Sequence, residues 1–255
     1  MKISQTLRVK DALRKSRHDV HIFISLLLIV TAILMPSFLM RKPVPWKAAE
    51  PTSFVESMKT SFAGIPGKPY TPTINASLTI DYFVLGHRKP VFYRYHSLIG
   101  HLCRITLLWL LLRTLRVPAN ICLLVALLSA IWPSRIESVM HPQMRGIIAE
   151  SLFIYAALLC ATRIDSQRWL WWMVGCSLCC IIAVGASMIW STSLILGIPL
   201  AALWCSKRKT GFPWERLILP MAVLLLTIAF SFHQSQYISY AAENGITVME
   251  AVFQQ

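Results

Sequence analysis

The chain has 255 residues, 56% of them hydrophobic and 14% charged, with a mean hydropathy of +0.57. A soluble domain carries about 25% charged residues, and here the apolar residues lie in blocks. A soluble enzyme is therefore excluded, as are disordered, collagen-like and disulfide-scaffold chains. The net charge of +14 comes from 25 Lys and Arg against 11 Asp and Glu, and the basic residues stand between the apolar blocks. That distribution orients a multispanning membrane protein and meets anionic lipid; it does not point to nucleic acid.

In chain order, residues 1–21 form a basic arm with Lys2, Arg8, Lys10, Arg14, Lys15 and Arg17 against Asp11 and Asp19. The uncharged stretch 22–40 is long enough to cross a bilayer. Met40-Arg41-Lys42 offers no small-residue cleavage site, so this span is expected to remain as an anchor. Residues 41–95 then make an extracytoplasmic loop. Within it, 74–85 is expected to lie on the outer leaflet as an amphipathic helix. Leu78, Tyr82 and Leu85 would share one face, with Asn75, Thr79 and Asp81 turned elsewhere. Further spans are expected at 98–112, 121–132, 146–161, 169–184, 188–204 and 217–232. Pro199 and Pro220 are tolerable in the last two where neighbouring helices satisfy the freed carbonyls.

The expected architecture is thus all-α: a polytopic helix bundle of about seven spans in a membrane domain 22–232, followed by a tail 233–255. Arg113, Arg116, Arg163, Arg168, Lys207, Arg208, Lys209 and Arg216 fall in alternate loops. The positive-inside rule puts those loops and the N-terminus in the cytoplasm and the C-terminus outside. A loop as long as 41–94 is weakly bound by the rule. A bacterial inner membrane fits this arrangement.

Seven cysteines, at 103, 122, 160, 176, 179, 180 and 205, lie within or at the ends of apolar spans. Cys176-x-x-Cys179-Cys180 has no second pair or histidine pair beside it, so these thiols read as small apolar residues and not as metal ligands. His87, His96, His101 and His141 show no metal spacing either. Trp169, Trp171 and Trp172 read as an interfacial belt. Asn75-Ala76-Ser77 is a glycosylation sequon, meaningful only in a eukaryote.

Ionisable residues at membrane depth are costly and usually face protein, water or a partner. His101 and Arg104 share a helix face. Glu137 and Arg145 flank the loop that contains Arg135 and His141, and Glu150 lies five residues past Arg145. Together they could line a polar cavity. Equally, Glu137 or Glu150 could pair with Arg145 or Arg104 simply to hold helices together.

From Tyr70 to Arg163 the chain resembles the multispanning GT-C type glycosyltransferases, in the branch of TPR-tailed protein O-mannosyltransferases. Tyr70-Thr71-Pro72-Thr73 and the segment ending Asp81-Tyr82-Phe83-Val84-Leu85-Gly86 are similar to that family's YRPL and its following amphipathic stretch. Tyr95-His96 and Leu110 to Arg113 resemble its YH and the basic end of the next span. Trp132-Pro133-Ser134-Arg135-Ile136-Glu137-Ser138-Val139 resembles HPxHxESV, and Met144-Arg145 its GR. Ser191-Thr192-Ser193 with Pro199 looks like its SKE and later proline.

The resemblance implies a GT-C fold, with spans around an outward cavity where a lipid-phosphate sugar meets an acceptor. It also implies an acidic pair just after the first span, one carboxylate of which is the base. This chain has Arg41-Lys42 there, Trp132 and Arg135 in place of the two histidines, and Thr192-Ser193 in place of Lys-Glu. Asp81, His96, Glu137 and Arg145 are retained, and the TPR tail of the family has no counterpart. Scaffold motifs without catalytic ones imply a shortened, catalytically degenerate relative acting as an accessory or scaffold subunit. Its partners would be membrane lipids and other membrane proteins. It would need no cofactor, although a polyprenyl phosphate or phospholipid could be held by Arg41, Lys42, Arg135 and Arg145. Asp81, His96, His101, Arg104 and Glu150 would line the cavity. The alternative is an active transferase using a polyprenyl-phosphate sugar, with Glu50, Glu56 or Glu137 as base.

Overall fold

The computed structural model describes residues 20–25, 27, 28, 31, 53–63, 71–86, 90–132, 139, 145–164, 166–187, 193–205 and 214–244. Among them the regular structure is entirely helical. The longer helices are α1 (Phe54–Ala63), α2 (Pro72–Asp81), α3 (Pro90–Thr114), α4 (Ala119–Ile131), α5 (Arg145–Ala161), α6 (Trp169–Ala186), α7 (Leu194–Cys205) and α8 (Ile218–Asn244). A helical segment at 20–25 precedes them.

Three stretches are long and apolar enough to cross a membrane: Arg94–Thr114, Trp169–Ala186 and Ile218–Gln236. They match the sequence expectations at 98–112, 169–184 and 217–232. The expected spans 121–132 and 188–204 appear as helices of 13 and 12 residues. At 1.5 Å per residue each covers about 20 Å, short of the roughly 30 Å hydrocarbon core. Most of 22–40 lies outside the described residues. Helix α8 runs twelve residues past the expected end at 232, because nothing between His233 and Asn244 breaks it.

Side-chain pairs fix the order of packing. Helices α3 and α4 form an antiparallel hairpin, with His101 against Ala130 and Arg104 against Ser129. The turn between them ends α3 in two bonds: Arg116 N–H to the Arg113 carbonyl and Val117 N–H to the Leu112 carbonyl. This is a Schellman ending, and it places Arg116 at φ 64°, a left-handed position that glycine normally fills. A side chain there costs roughly 1–2 kcal/mol. Pro118 then starts α4.

Helix α5 runs parallel to α3, with Arg145 beside Ser97 and Ile148 beside Gly100. Helix α6 returns antiparallel to α5: Ala186 lies by Gly146, Cys176 by Ala157, and Trp172 by Arg163. Their contact face is built of small residues, with Ala157, Ala161, Cys176, Cys180 and Ala183 all fully buried. In lipid, helices gain little from excluding water, so close backbone approach and dispersion contacts must carry the association. Short side chains permit that approach, and here the buried thiols pack as apolar groups.

Consequently α3 starts, α4 ends, α5 starts and α6 ends at one end of the bundle. Helices α1 and α2 lie across that end. At the other end Trp204 Nε1 donates to the Leu115 carbonyl, and Arg216 donates to the Ile164 carbonyl. Arg113, Arg116, Arg163, Arg168 and Arg216 all belong to this second end. Phe23 stacks on Trp109 of α3 at 4.4 Å and 12°, which brings the N-terminal helical segment against α3.

Candidate functional site: a polar cluster beneath helix α2

Helix α2 begins with Pro72, whose fixed φ suits a first helical position. Residues 74, 77, 78 and 81 fall on one stripe by helical spacing. Ile74 and Leu78 pack there against Ala186, and Asp81 is 2% exposed. The expectation that Asp81 would turn away from the apolar face is corrected: Asp81 is the inward-pointing polar end of that face. Helical spacing alone sets residue 81 on the stripe of 74, 77 and 78, and its carboxylate stays there because His96 and Arg145 pair with it. The α-helix gives way to π-helical residues Tyr82–Gly86 immediately after Asp81.

Beneath α2, the start of α3 presents Arg94, Ser97, His101 and Arg104 along one buried stripe, all at most 5% exposed. The stripe turns apolar deeper in, at Ile105 and Leu108. Arg145 opens α5 beside it. Asp81 joins the three elements. Its Oδ1 accepts from His96 Nδ1 at 2.6 Å, and its Oδ2 accepts from Arg145 Nη1 at 2.5 Å. Arg145 also donates from Nη1 to Ser77 Oγ at 3.1 Å and from Nε to Ser97 Oγ at 3.2 Å. His96 donates through Nδ1, so its Nε2 is the remaining face of the ring, and its side chain is 47% exposed.

Helix dipoles did not put these charges where they are. Asp81 ends a helix and Arg145 begins one, and each terminus disfavours that sign by about 0.3–1 kcal/mol. Their mutual attraction, in a setting where both are nearly dry, explains the placement. Glycines allow α2 to come close enough. A Cβ on Gly146 would overlap Ile74 Cδ1, and one on Gly185 would stand 2.5 Å from Thr73 Oγ1. Thr73 Oγ1 in turn donates to the Ile182 carbonyl of α6 at 3.2 Å.

The other expected cavity residues are used differently. Arg104 Nη2 donates to the Ser129 carbonyl at 2.8 Å, and His101 Nε2 donates to the Ala130 carbonyl at 3.2 Å. These carbonyls belong to the last turn of α4, where no intrahelical donor reaches them. The pair therefore caps a helix C-terminus, where cations are favoured. His101 Nδ1 faces Arg104 Nη2 at 3.4 Å, which fits the tautomer carrying its proton on Nε2. Glu150 is 1% exposed but lies on the stripe of Gly146, Ile154 and Ala157, whereas Arg145 shares a stripe with Ile148. Sequence proximity had suggested one cavity for both.

Of the expected bases, Glu56 stands exposed in the first turn of α1, where its N–H donates to Ser53 Oγ at 3.2 Å. That is half of a capping box, and Ser-x-x-Glu was its sequence signal. Glu50, Glu137, Arg41, Lys42 and Arg135 lie outside the described residues. Ser77 and Ser97 were missed. Ser97 could have been found, since it precedes His101 by four residues and Arg104 by seven on one helix face. Ser77 carried no such signal beyond the sequon, of which Asn75 is half-buried.

At the other end, Arg216 lies 5.2 Å over Trp169 and Arg163 lies 6.0 Å from Trp172, while Trp171 is largely exposed. No protein-family model, curated protein or solved structure matches the chain.

Proposed function

We propose that the chain is a catalytically degenerate membrane protein of GT-C-like architecture. It would act as an accessory or scaffold subunit among other membrane proteins. One observation carries this reading: both oxygens of Asp81 and both contacting nitrogens of Arg145 are engaged inside the protein. Residues that the resemblance places at a reaction cavity here hold an outer helix onto the bundle. A guanidinium tied to a carboxylate and two hydroxyls is poorly placed to take a substrate phosphate. Any lipid phosphate in the cavity would fall to Arg41, Lys42 and Arg135. The reading keeps seven spans in a bacterial inner membrane, with the N-terminus in the cytoplasm and the C-terminus outside; Arg113, Arg116, Arg163, Arg168 and Arg216 at one end of the bundle favour that orientation.

A second reading, an active transferase using a polyprenyl-phosphate sugar, is favoured by His96. A general base must accept a proton near working pH, and an imidazole held by a carboxylate through Nδ1, with Nε2 outward, has the form of one. The test is reconstitution with polyprenyl-phosphate sugars and a hydroxyl acceptor. The wild type is expected to transfer nothing. Turnover that disappears in His96→Gln, Glu56→Gln or Glu137→Gln would overturn the scaffold reading and name the base.

A further inference from the structure

Helix α1 turns its apolar residues the opposite way from a helix in a soluble protein. By helical spacing Phe54, Val55, Met58 and Phe62 share one arc of about 100°, and Glu56, Lys59 and Thr60 take the other side. In a soluble protein such an arc faces the core. Here Ser61 turns inward instead: it is 5% exposed, and its Oγ meets Thr79 Oγ1 of α2 at 3.2 Å. Val55 is 62% exposed and Phe62 55%, while Phe54 is exposed at the start of the helix. The apolar edge continues onto the π-helical turn after α2. Phe83 meets Phe54 edge-on at 5.3 Å and Tyr82 at 5.2 Å, and Val84 beside it is 72% exposed.

The contacts of α2 give the level of this edge. Ile74 and Leu78 pack against Ala186, the last residue of a helix long enough to cross a membrane. Asp81 is bonded to Arg145, the first residue of α5, and to His96, near the start of the span-length stretch Arg94–Thr114. Helix α2 is thus fixed where the spans end, and α1 is fixed beside it. Close to the same ends, Ile99 of α3, Ile131 of α4 and Ile181 of α6 are exposed as well, so the edge continues the apolar outer surface of the spans. Phenylalanines on one face, with charged and polar groups on the other, suit the boundary between headgroups and acyl chains, where the apolar face is buried and the polar face stays wet.

We infer that α1 lies in the membrane interface and seats Phe54, Val55 and Phe62, with Phe83 and Val84 beside them, among the upper acyl chains of the leaflet at that end of the bundle. The sequence expectation gave this place to 74–85. Helix α2 turns its apolar stripe onto the bundle, and α1 takes the lipid.

The test places one environment-sensitive fluorophore on the full chain in nanodiscs, at Val55→Cys, Phe62→Cys, Val84→Cys or Lys59→Cys in a cysteine-free background. Nanodiscs leave both membrane faces open, so the result does not depend on orientation. Emission is quenched with iodide from the water, or with phosphatidylcholine brominated either near the headgroup end of its chains or near the terminal methyl. The three apolar positions are expected to be shielded from iodide. They should be quenched several-fold more by the shallow bromine than by the deep one, as fits a depth of about 5–10 Å. Lys59→Cys should be quenched several-fold more by iodide than they are, and little by either lipid. Iodide reaching Val55→Cys and Phe62→Cys as readily as Lys59→Cys would overturn the proposal, because the face would then stand in water. Protection of those two positions from both iodide and bromine would overturn it too, by showing that a protein segment covers the face. Equal quenching of Lys59→Cys and Val55→Cys by the shallow bromine would overturn the sidedness on which it rests.

Discussion

Asp81 and Arg145 stand 64 residues apart in the chain and meet at 2.5 Å, with 2% and 6% of their side-chain surfaces exposed. Removing one member of such a pair leaves the other charge buried without compensation, a loss of about 3–5 kcal/mol. Asp81→Asn and Arg145→Met should each destabilise the protein by that order in a denaturation series in detergent. The double variant should recover a large part of the loss. Simple addition of the two single effects would show that the residues do not act as a pair.

Gly146 and Gly185 are the places where α2 touches the bundle most closely. Gly185→Val would drive Thr73 off the end of α6 and is expected to cost about 1–3 kcal/mol by overpacking. Lifting α2 should also open 53–86 to added protease while the rest of the bundle stays protected. Unchanged proteolysis in Gly185→Val would mean that α2 is not held there.

Arg104→Leu should strip the Ser129 carbonyl of its donor and bring an apolar group to a helix end. A loss of about 1–3 kcal/mol is expected, the cost of a buried polar group left unsatisfied. His101→Phe should have a smaller effect of the same sign. The readout is the same denaturation series, and an unaffected Arg104→Leu would remove the capping role.

Thiol chemistry checks the interior. Cys122, Cys176 and Cys180 are fully buried and should resist a maleimide in mild detergent until the protein is unfolded by dodecyl sulfate. Cys103 is exposed and should react first. Reaction of Cys176 at the rate of Cys103 would contradict the close packing of α5 on α6.

The topology has its own measurement. In a cysteine-free background, Gln167→Cys should be shielded from an impermeant reagent added to intact cells, and Glu243→Cys should react. Both positions are exposed, and they lie at opposite ends of the bundle. The reverse pattern would invert the orientation.

Hydropathy blocks made the helices at 98–112, 169–184 and 217–232 legible, because uninterrupted apolar runs need no tertiary information. The charged stripe of α3 was legible in part, since His101 and Arg104 sit three apart. What they bind was not, because the carbonyls of Ser129 and Ala130 come from the next helix and carry no sequence mark. Asp81 was assigned to the wrong side for a physical reason. Helical spacing sets residue 81 on the stripe of 74, 77 and 78, but a carboxylate was taken as solvent-seeking, whereas this one is neutralised by a guanidinium far along the chain. Glu56 was a base candidate for its charge and its place in the loop after the first span, but its position in a capping box decides where it sits.

The parallel run of α3 and α5 sets an order on how the protein is made. Asp81 leaves the ribosome 64 residues before Arg145, and Thr73 leaves 109 residues before Ile182. At about 5–20 residues per second, the first interval lasts roughly 3–13 s. Throughout it α2 has emerged with neither its counter-charge nor the helix it rests on. The outer layer is therefore assembled backwards. The segment made early waits for two later helices to be made and packed, and its docking reports that both have arrived in the right register.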